Sequence, residues 1–252
     1  MKKQIHCSEI KIKPDLSLFH VGPSIDFGPL PTIFYFALSG PDSLTKDPFN
    51  QPIQFLSDQW IRFFSLTLPF HEDELPPKEA IGSWAEEIKK DNDIIGTFID
   101  NALAAVEFVI SQKLADPQKL AVAGLSRGGF IASLLAAKEK RFSHILQFAP
   151  LTDLSKTKEF ELLQTHPIVQ SYNLLPLAPL LADRSIRLYI GNKDTRTHTH
   201  LCFEFAMELV KNSSLRSPQI ELFITPSIGH MGHGTSMEIF EQGALWLANS
   251  IR

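Results

Sequence analysis

Cysteine is scarce in this chain of 252 residues, which contains only Cys7 and Cys202. Two cysteines are too few for a disulfide framework, so we expect both to be free thiols. Long apolar runs are also missing: none approaches the length of a membrane span, and none follows the basic residues after Met1 as in a signal peptide. The sequence therefore predicts a soluble cytoplasmic protein without a membrane span.

An excess of positive charge is absent as well. The chain has 24 Lys and Arg against 28 Asp and Glu, a formal net charge of −4 at pH 7. The basic residues are scattered, which leaves no electrostatic surface for nucleic acid. No internal repeat divides the chain and 44% of its residues are hydrophobic, so we expect a single domain over residues 1–252 with a substantial core.

Apolar segments with the period of strands alternate with segments of helical period along most of the sequence. Such alternation is typical of an α/β protein with a mostly parallel central sheet flanked by helices. We expect about eight strands, with the first two as candidates for an antiparallel edge. A long amphipathic helix is predicted over about 92–113. The expected strands are 4–12, 17–21, 31–38, 60–68, 120–123, 144–148, 185–190 and 219–225.

Residues 149–183 interrupt this alternation with a stretch rich in leucine, proline and polar residues. Two short helices are predicted within it, at 156–165 and 174–181. The segment 150–183 could form a small lid over an active site. A connecting segment that packs on the edge of the sheet without covering the site is an equally good interpretation.

The most informative motif is Gly124-Leu-Ser126-Arg-Gly128, at the junction of an apolar strand and a helix. A serine hydroxyl becomes an effective nucleophile when it projects from its surroundings, lies beside a base and faces donors that stabilise an oxyanion. A tight strand-to-helix turn provides the projection, and the two glycines let the strand and the helix approach each other. Ser126 is therefore the candidate nucleophile.

The partners of such a serine are expected at the carboxyl ends of later strands, where functional groups collect in open α/β sheets. Asp194 and His230 each follow a predicted strand. The order Ser126, Asp194, His230 is that of nucleophile, acid and base in one class of hydrolase. Two alternatives stay open: His233 competes with His230 for the base, and Asp153, which also follows a strand, competes with Asp194.

The turns at 124–128, 191–196 and 226–230 resemble the three signature turns of the α/β-hydrolase superfamily, and its esterase and prolyl-oligopeptidase-like branch is the most similar. The resemblance implies that Ser126 is the nucleophile, that Asp194 orients the base and that His230 is the base. It also implies a small-molecule acyl substrate and neither a metal nor an organic cofactor.

The same resemblance implies two backbone donors that stabilise the oxyanion. One is the amide of Arg127, which gains from the dipole at the N-terminus of the helix after the serine. The other belongs to the loop 38–42 after the third strand, where Pro41 has no N–H to donate. We therefore expect Gly40 or Asp42 to supply it.

Together these residues predict a serine hydrolase that cleaves a carboxylic ester, thioester or small amide through an acyl-enzyme on Ser126. Peptidase or acyltransferase activity would use the same groups. A non-catalytic binding or scaffold protein that retains the fold is the alternative, and His71 is interpreted as structural or pocket-lining. A metal-dependent hydrolase is a further alternative, because four histidines could act as ligands: His198, His200, His230 and His233.

Overall fold

An eight-stranded mixed sheet forms the centre of the protein. The structure, a computed structural model, describes residues 5–72, 76, 78–214 and 219–252. In the described residues the strands follow the order β1-β2-β4-β3-β5-β6-β7-β8 across the sheet. Their bounds are β1 Ser8–Lys13, β2 Leu16–Val21, β3 Leu30–Phe36, β4 Arg62–Ser65, β5 Ala115–Leu125, β6 Phe142–Phe148, β7 Ser185–Gly191 and β8 Ile220–Thr225.

The sheet consists of an antiparallel edge and a parallel body. Strand β2 pairs antiparallel with both β1 and β4, and every other pairing is parallel. The predicted fold class and the antiparallel edge are confirmed. Strand β1 begins at Ser8 rather than at residue 4, which lies outside the described residues.

Helices cover both faces of the sheet. Alternate residues of a strand point to opposite faces, so Phe34 and Phe36 of β3 join the core on one side while Ile33 and Tyr35 join the core on the other. The first core is covered by α3, α4, α5, α7 and α8, and the second by α1, α2 and α9. The helix bounds are α1 Gly40–Thr45, α2 Gln51–Phe55, α3 Ala80–Ile88, α4 Ile94–Ser111, α5 Arg127–Lys138, α6 Pro167–Ser171, α7 Ala178–Leu181, α8 Thr199–Asn212 and α9 Met237–Ser250.

The long amphipathic helix predicted over 92–113 is α4. Asp93 caps it, since its Oδ1 accepts the N–H of Gly96 at 2.8 Å, and Ile95 and Ile99 are buried in the core. Among the described residues, α4 is the one helix whose length and composition would also allow it to cross a membrane. This is weak evidence, because a core helix passes the same test.

The segment 150–183 contains only short helices. The predicted helix 156–165 is largely a 3-10 helix, Lys158–Leu163, and 174–181 divides into a 3-10 turn and α7. The hydroxyl of Tyr172 lies 2.7 Å from both carboxylate oxygens of Asp93 and ties the segment to the start of α4. Whether the segment acts as a lid stays a prediction.

Candidate active site

Ser126 lies on a tight turn between β5 and α5. Strand β5 ends at Leu125 and α5 begins at Arg127, so one residue reverses the direction of the chain. Ser126 does so at φ 58° and ψ −119°, in a region of positive φ that is costly for a residue with a Cβ atom. The turn brings Ser126 to the wall of two cavities.

Gly124 and Gly128 make this turn possible, because a Cβ atom fits at neither position. On Gly124 it would lie 2.2 Å from the carbonyl group of Gly128, and on Gly128 it would lie 1.9 Å from the carbonyl oxygen of Phe36. The N–H of Ser126 donates to the carbonyl oxygen of Phe148 at 2.8 Å, which fixes the turn against β6. The structure therefore has the strand, turn and helix that the sequence predicts.

Asp194 lies in the turn that follows β7, and the backbone of that turn holds its carboxylate. Oδ1 accepts the N–H groups of Arg196 at 2.9 Å and of Thr197 at 3.0 Å. Burial alone would raise the pKa of this carboxyl group, but the hydrogen bond from His233, its charge and the two amides outweigh burial and hold the pKa below its ordinary value. The carboxylate is therefore charged at neutral pH inside the protein.

His233 completes a hydrogen-bonded chain from Asp194 to Ser126. Its Nδ1 lies 2.7 Å from Oδ2 of Asp194, and its Nε2 lies 2.8 Å from Oγ of Ser126. A carboxylate can only accept, so Nδ1 carries the proton and Nε2 is the acceptor for the serine hydroxyl. In this tautomer the imidazole can take up the proton of Ser126.

The sequence assigned this position to His230, and the structure corrects it to His233. His230 is solvent-exposed and lines the wall of one cavity with Ser126. Among the described residues, the Asp194 carboxylate accepts from the amides of Arg196 and Thr197, from the Thr197 hydroxyl and from Nδ1 of His233. In this part of the chain the His230 side chain hydrogen-bonds neither to this carboxylate nor to Ser126.

The reason for the correction is that the chain folds back after β8. It forms the 3-10 helix His230–Gly232, and the N–H of Thr195 donates to the carbonyl oxygen of Met231 at 2.9 Å. Gly229 and Gly232 adopt φ angles of 72° and 71° in this turn. The fold-back places the next residue, His233, over the Asp194 turn.

The alternative acid, Asp153, has a structural role. Its Oδ1 accepts the N–H of Ser155 at 2.9 Å and the hydroxyl of Ser155 at 2.7 Å, and Asn173 lies 3.4 Å from its Oδ2. Asp153 therefore caps the 3-10 helix that follows it. Of the two candidate acids, Asp194 is the one that contacts the histidine beside Ser126.

The expected second oxyanion donor does not reach the site. The N–H of Gly40 donates to Oγ1 of Thr67 at 3.0 Å, and the N–H of Asp42 donates to Oγ of Ser39 at 3.2 Å. Neither Gly40 nor Asp42 lines a cavity that contains Ser126. The prediction of these two donors is corrected for the described conformation.

Ala37 and Leu38 are the residues of this loop that line a cavity with Ser126. Their N–H groups both donate to the hydroxyl oxygen of the buried Ser43, at 3.1 Å and 2.8 Å. Arg127, which lines the same cavity, occupies the first position of α5, where a backbone N–H is not used by the helix itself. The amides of Ala37 and Leu38 are therefore already hydrogen-bonded, and the oxyanion donor at Arg127 stays a prediction.

Two cavities share Ser126, Arg127 and Arg196 in their walls. The apolar cavity has a volume of about 490 Å³, and its apolar wall consists of Ala37, Leu38, Pro48, Phe49, Leu125 and Phe240. The polar cavity has a volume of about 430 Å³, and its charged and amide side chains, besides the shared arginines, are Lys156, Lys158, Glu159, Glu161 and Gln164. A molecule bound at Ser126 therefore meets two chemically different walls.

The histidines of the metal alternative do not form a metal site. Among the residues the structure describes, no three His, Cys, Asp or Glu side chains converge as ligands. His198 and His200 lie with ring centroids 5.5 Å apart, and Cys7 and Cys202 are free thiols, as predicted. The metal-dependent alternative therefore lacks a donor set in this part of the chain.

His71 is a buried structural residue. Its Nδ1 donates to the carbonyl oxygen of Pro69 at 2.9 Å. Burial, together with the charge of Arg127, lowers the pKa of His71 to about 4, so its ring is neutral at pH 7. It lines neither cavity.

Thr197 is a residue of the site that the sequence analysis missed. It is 3% exposed, and its Oγ1 lies 3.1 Å from Oδ2 of Asp194. The available signal was the position of Thr197 three residues after Asp194. In an Asx turn the aspartate side chain accepts from backbone N–H groups two or three residues later, and a hydroxyl there can join them. Such turns are common, and the spacing does not by itself indicate a functional role.

The comparison with family models identifies one family. A sequence profile of the prolyl oligopeptidase family matches residues 82–252, while no curated protein matches the chain. Solved structures are similar at low identity. A candidate dipeptidyl aminopeptidase IV from Bacteroides ovatus is 16% identical with a TM-score of 0.70, and the likeness covers 98% of this chain.

Two further structures have lengths close to that of this chain. Protein TT1662 from Thermus thermophilus is 16% identical with a TM-score of 0.72, and 99% of each chain is covered. The esterase Pf2001 from Pyrococcus furiosus is 16% identical with a TM-score of 0.65, covering 98% of this chain and 90% of the esterase. The present chain spans only 36% of the Bacteroides ovatus protein. At these identities the likenesses establish the fold.

Proposed function

The chain belongs to the prolyl oligopeptidase family of α/β-hydrolases, and on this premise we propose that it is a serine hydrolase acting through an acyl-enzyme on Ser126. One observation carries the proposal, namely the continuous hydrogen-bonded chain from Asp194 through His233 to Ser126, with contacts of 2.7 Å and 2.8 Å. The bond cleaved is a carboxylic ester, a thioester or a small amide.

In the proposed mechanism, Nε2 of His233 takes the proton of the Ser126 hydroxyl as Oγ attacks the carbonyl carbon of the substrate. The Asp194 carboxylate stabilises the imidazolium that forms. The carbonyl oxygen becomes an oxyanion, and the amide of Arg127 at the start of α5 donates to it. His233 then returns its proton to the leaving group, and a water activated by the same imidazole hydrolyses the acyl-enzyme.

The two cavities support a division of the substrate. We infer that an apolar acyl group occupies the apolar cavity, because burying each methylene group against its walls stabilises binding by about 0.8 kcal/mol. The leaving group then faces the polar cavity, where Lys158 and Glu159 can pair with charged groups of either sign. The substrate is accordingly a small molecule with an apolar acyl part and a polar leaving group.

Both esterases and peptidases occur among the similar structures, and the mechanism serves either bond. The apolar cavity beside Ser126 favours an ester with an apolar acyl group as the first substrate to test. A cytoplasmic location is part of the same proposal and rests on the sequence composition.

A non-catalytic binding protein that retains the fold is the second candidate. It is favoured by the loop after β3, where the amides of Ala37, Leu38 and Gly40 already donate to side-chain hydroxyl groups. These three amides would then not serve an oxyanion. Substrate binding would have to redirect one of these amides for catalysis at full rate.

A fluorophosphonate probe separates the two candidates, because it reacts with activated serine hydroxyl groups. We expect wild-type protein to be labelled at Ser126, Ser126→Ala to remain unlabelled, and Ser111→Ala, which changes an exposed serine at the end of α4, to label as wild type does. Absence of labelling in correctly folded wild type would favour the binding protein. p-Nitrophenyl esters of increasing acyl length, run beside aminoacyl amides, then identify the bond that is cleaved.

A further inference from the structure

Thr197 lies against the buried side of the Asp194 carboxylate. Its hydroxyl oxygen is 3.1 Å from Oδ2 of Asp194, 3.4 Å from the carbonyl oxygen of Ala149 and 3.5 Å from Nδ1 of His233. Only 3% of the residue is exposed, so the hydroxyl group must find its partners within the protein. It therefore stands where the acid, the base and the end of β6 meet.

The proton of this hydroxyl can be assigned from the chemistry of its neighbours. Asp194 and the Ala149 carbonyl can only accept, and Nδ1 of His233 already donates to Asp194 at 2.7 Å. The Thr197 hydroxyl must consequently be the donor, and the carboxylate is its nearer acceptor. A hydrogen bond to a charged acceptor is also the stronger of the two choices.

We propose that Thr197 is a positioning residue, whose hydroxyl holds the Asp194 carboxylate in the orientation that His233 requires; this inference rests on the proposed function. The two oxygens of the carboxylate are held differently. Two backbone amides fix Oδ1, whereas in the described part of the chain Oδ2 is held by His233 and Thr197. Without Thr197, the remaining partner of Oδ2 among these residues would be the imidazole that Oδ2 itself has to orient.

Thr197 also contacts the scaffold at the end of β6. Ala149, whose carbonyl oxygen lies 3.4 Å from the hydroxyl oxygen, follows β6 directly and adopts a φ angle of 43°, and its N–H donates to the carbonyl oxygen of Tyr189 in β7 at 2.7 Å. The hydroxyl that donates to Asp194 is therefore packed against a fixed part of the sheet. Precise orientation of a catalytic group depends on such supporting contacts.

The substitution Thr197→Val tests the hydroxyl group alone, because valine has the same shape and branches at Cβ. We expect the rate constant of fluorophosphonate labelling at its high-pH plateau to fall by roughly three- to tenfold, since one charge-assisted hydrogen bond is lost. Thr197→Ser keeps the hydroxyl and is expected to recover most of the rate. The control Thr225→Val removes a similar hydroxyl, 3.4 Å from the carbonyl oxygen of Ile190, and should leave the rate unchanged.

A second readout follows the contact between His233 and Asp194 directly. If Thr197 holds Oδ2 of Asp194 towards Nδ1 of His233, loss of the hydroxyl weakens the hydrogen bond between them. In a Ser126→Ala background, the NMR resonance of the Nδ1 proton of His233 should therefore move upfield when Thr197 is replaced by Val and stay near its original position when it is replaced by Ser. The other charged and titratable groups around the cavity with His233 are unchanged in these variants; they are Lys78, Arg127, Arg196 and His230.

The outcomes separate the inference from the proposed function. If wild type labels at Ser126 but Thr197→Val labels at the same rate with an unmoved resonance of the His233 Nδ1 proton, the positioning role is overturned. Equal losses in Thr197→Val and Thr197→Ser would also overturn it, because packing rather than the hydroxyl would then be responsible. Failure of folded wild type to label concerns the proposed function, while the resonance of the His233 Nδ1 proton still tests the contact with Asp194.

Discussion

Nε2 of His233 lies 2.8 Å from Oγ of Ser126, although the two residues are 107 positions apart in the chain. The contact depends on the turn after β8, which folds back on the turn after β7 rather than running straight into α9. In the sheet, β6 and β7 lie between β5, which precedes Ser126, and β8, which precedes His233. The folded-back turn brings the imidazole of His233 across these two strands to Ser126.

The first prediction concerns the choice between the two histidines. We expect His233→Ala to lower the labelling rate of Ser126, and any kcat, by about 10³-fold or more, because the serine loses its proton acceptor. His230→Ala removes an exposed ring on the cavity wall and should change the rate by only a few-fold. A larger loss in His230→Ala than in His233→Ala would contradict the observed geometry.

The second prediction concerns the crowded turn at Ser126. In Gly128→Ala the new Cβ would lie 1.9 Å from the carbonyl oxygen of Phe36, and we expect the free energy of unfolding to fall by at least about 2 kcal/mol. Gly82→Ala is the matched control, since a Cβ there meets no atom within 4 Å. In helix α3 that change should raise stability by about 0.5–1 kcal/mol. Urea unfolding of both variants measures the difference, and equal stabilities would contradict it.

The sequence predicts most of the fold because its strands are buried and apolar. The apolar run from Leu120 to Ala123 predicts a buried strand, which lies within β5, and the spacing of Gly124, Ser126 and Gly128 predicts the turn at Ser126. These are local patterns with a physical cause, namely burial and close approach. They do not depend on which loop later packs against them.

The choice of base could not be predicted, because it depends on contacts between two loops. Both His230 and His233 follow a glycine, so the residues next to them do not show which one contacts Ser126. The hydrogen bond between Thr195 and Met231, which joins residues 36 positions apart, directs His233 rather than His230 to the serine. The prediction of Gly40 as an oxyanion donor is wrong for a similar reason. The acceptor of the Gly40 amide, Thr67, lies on a different segment of the chain.

The third prediction concerns stability at acidic pH. Burial lowers the pKa of His71 to about 4, with a further contribution from Arg127, whereas an exposed imidazole has a value near 6.5. Between these values the unfolded chain binds a proton that the native protein does not, so stability falls as the pH drops from 6.5 towards 4. His20, whose pKa burial also lowers to about 4, acts in the same direction.

For a single histidine the whole effect down to pH 4 is about 3 kcal/mol, of which about 2 kcal/mol falls above pH 5. Urea unfolding between pH 7 and pH 5 should therefore show a steep loss of stability in wild type and a smaller slope in His71→Gln. The His20→Gln variant should reduce the slope independently. A slope that neither substitution changes would mean that other groups control acid unfolding.

The last prediction concerns the apolar cavity, and it follows from the division of the substrate proposed above. Phe49 contributes a ring to the wall of this cavity, and Phe49→Ala enlarges the space available to an acyl group. Because each additional buried methylene contributes about 0.8 kcal/mol, or roughly a fourfold gain in kcat/KM, the preferred p-nitrophenyl ester should become longer in this variant. Gln164→Ala changes only the polar cavity and should leave the preferred acyl length as it is. If Gln164→Ala moves the acyl preference and Phe49→Ala does not, the acyl group occupies the polar cavity and the proposed orientation of the substrate is reversed.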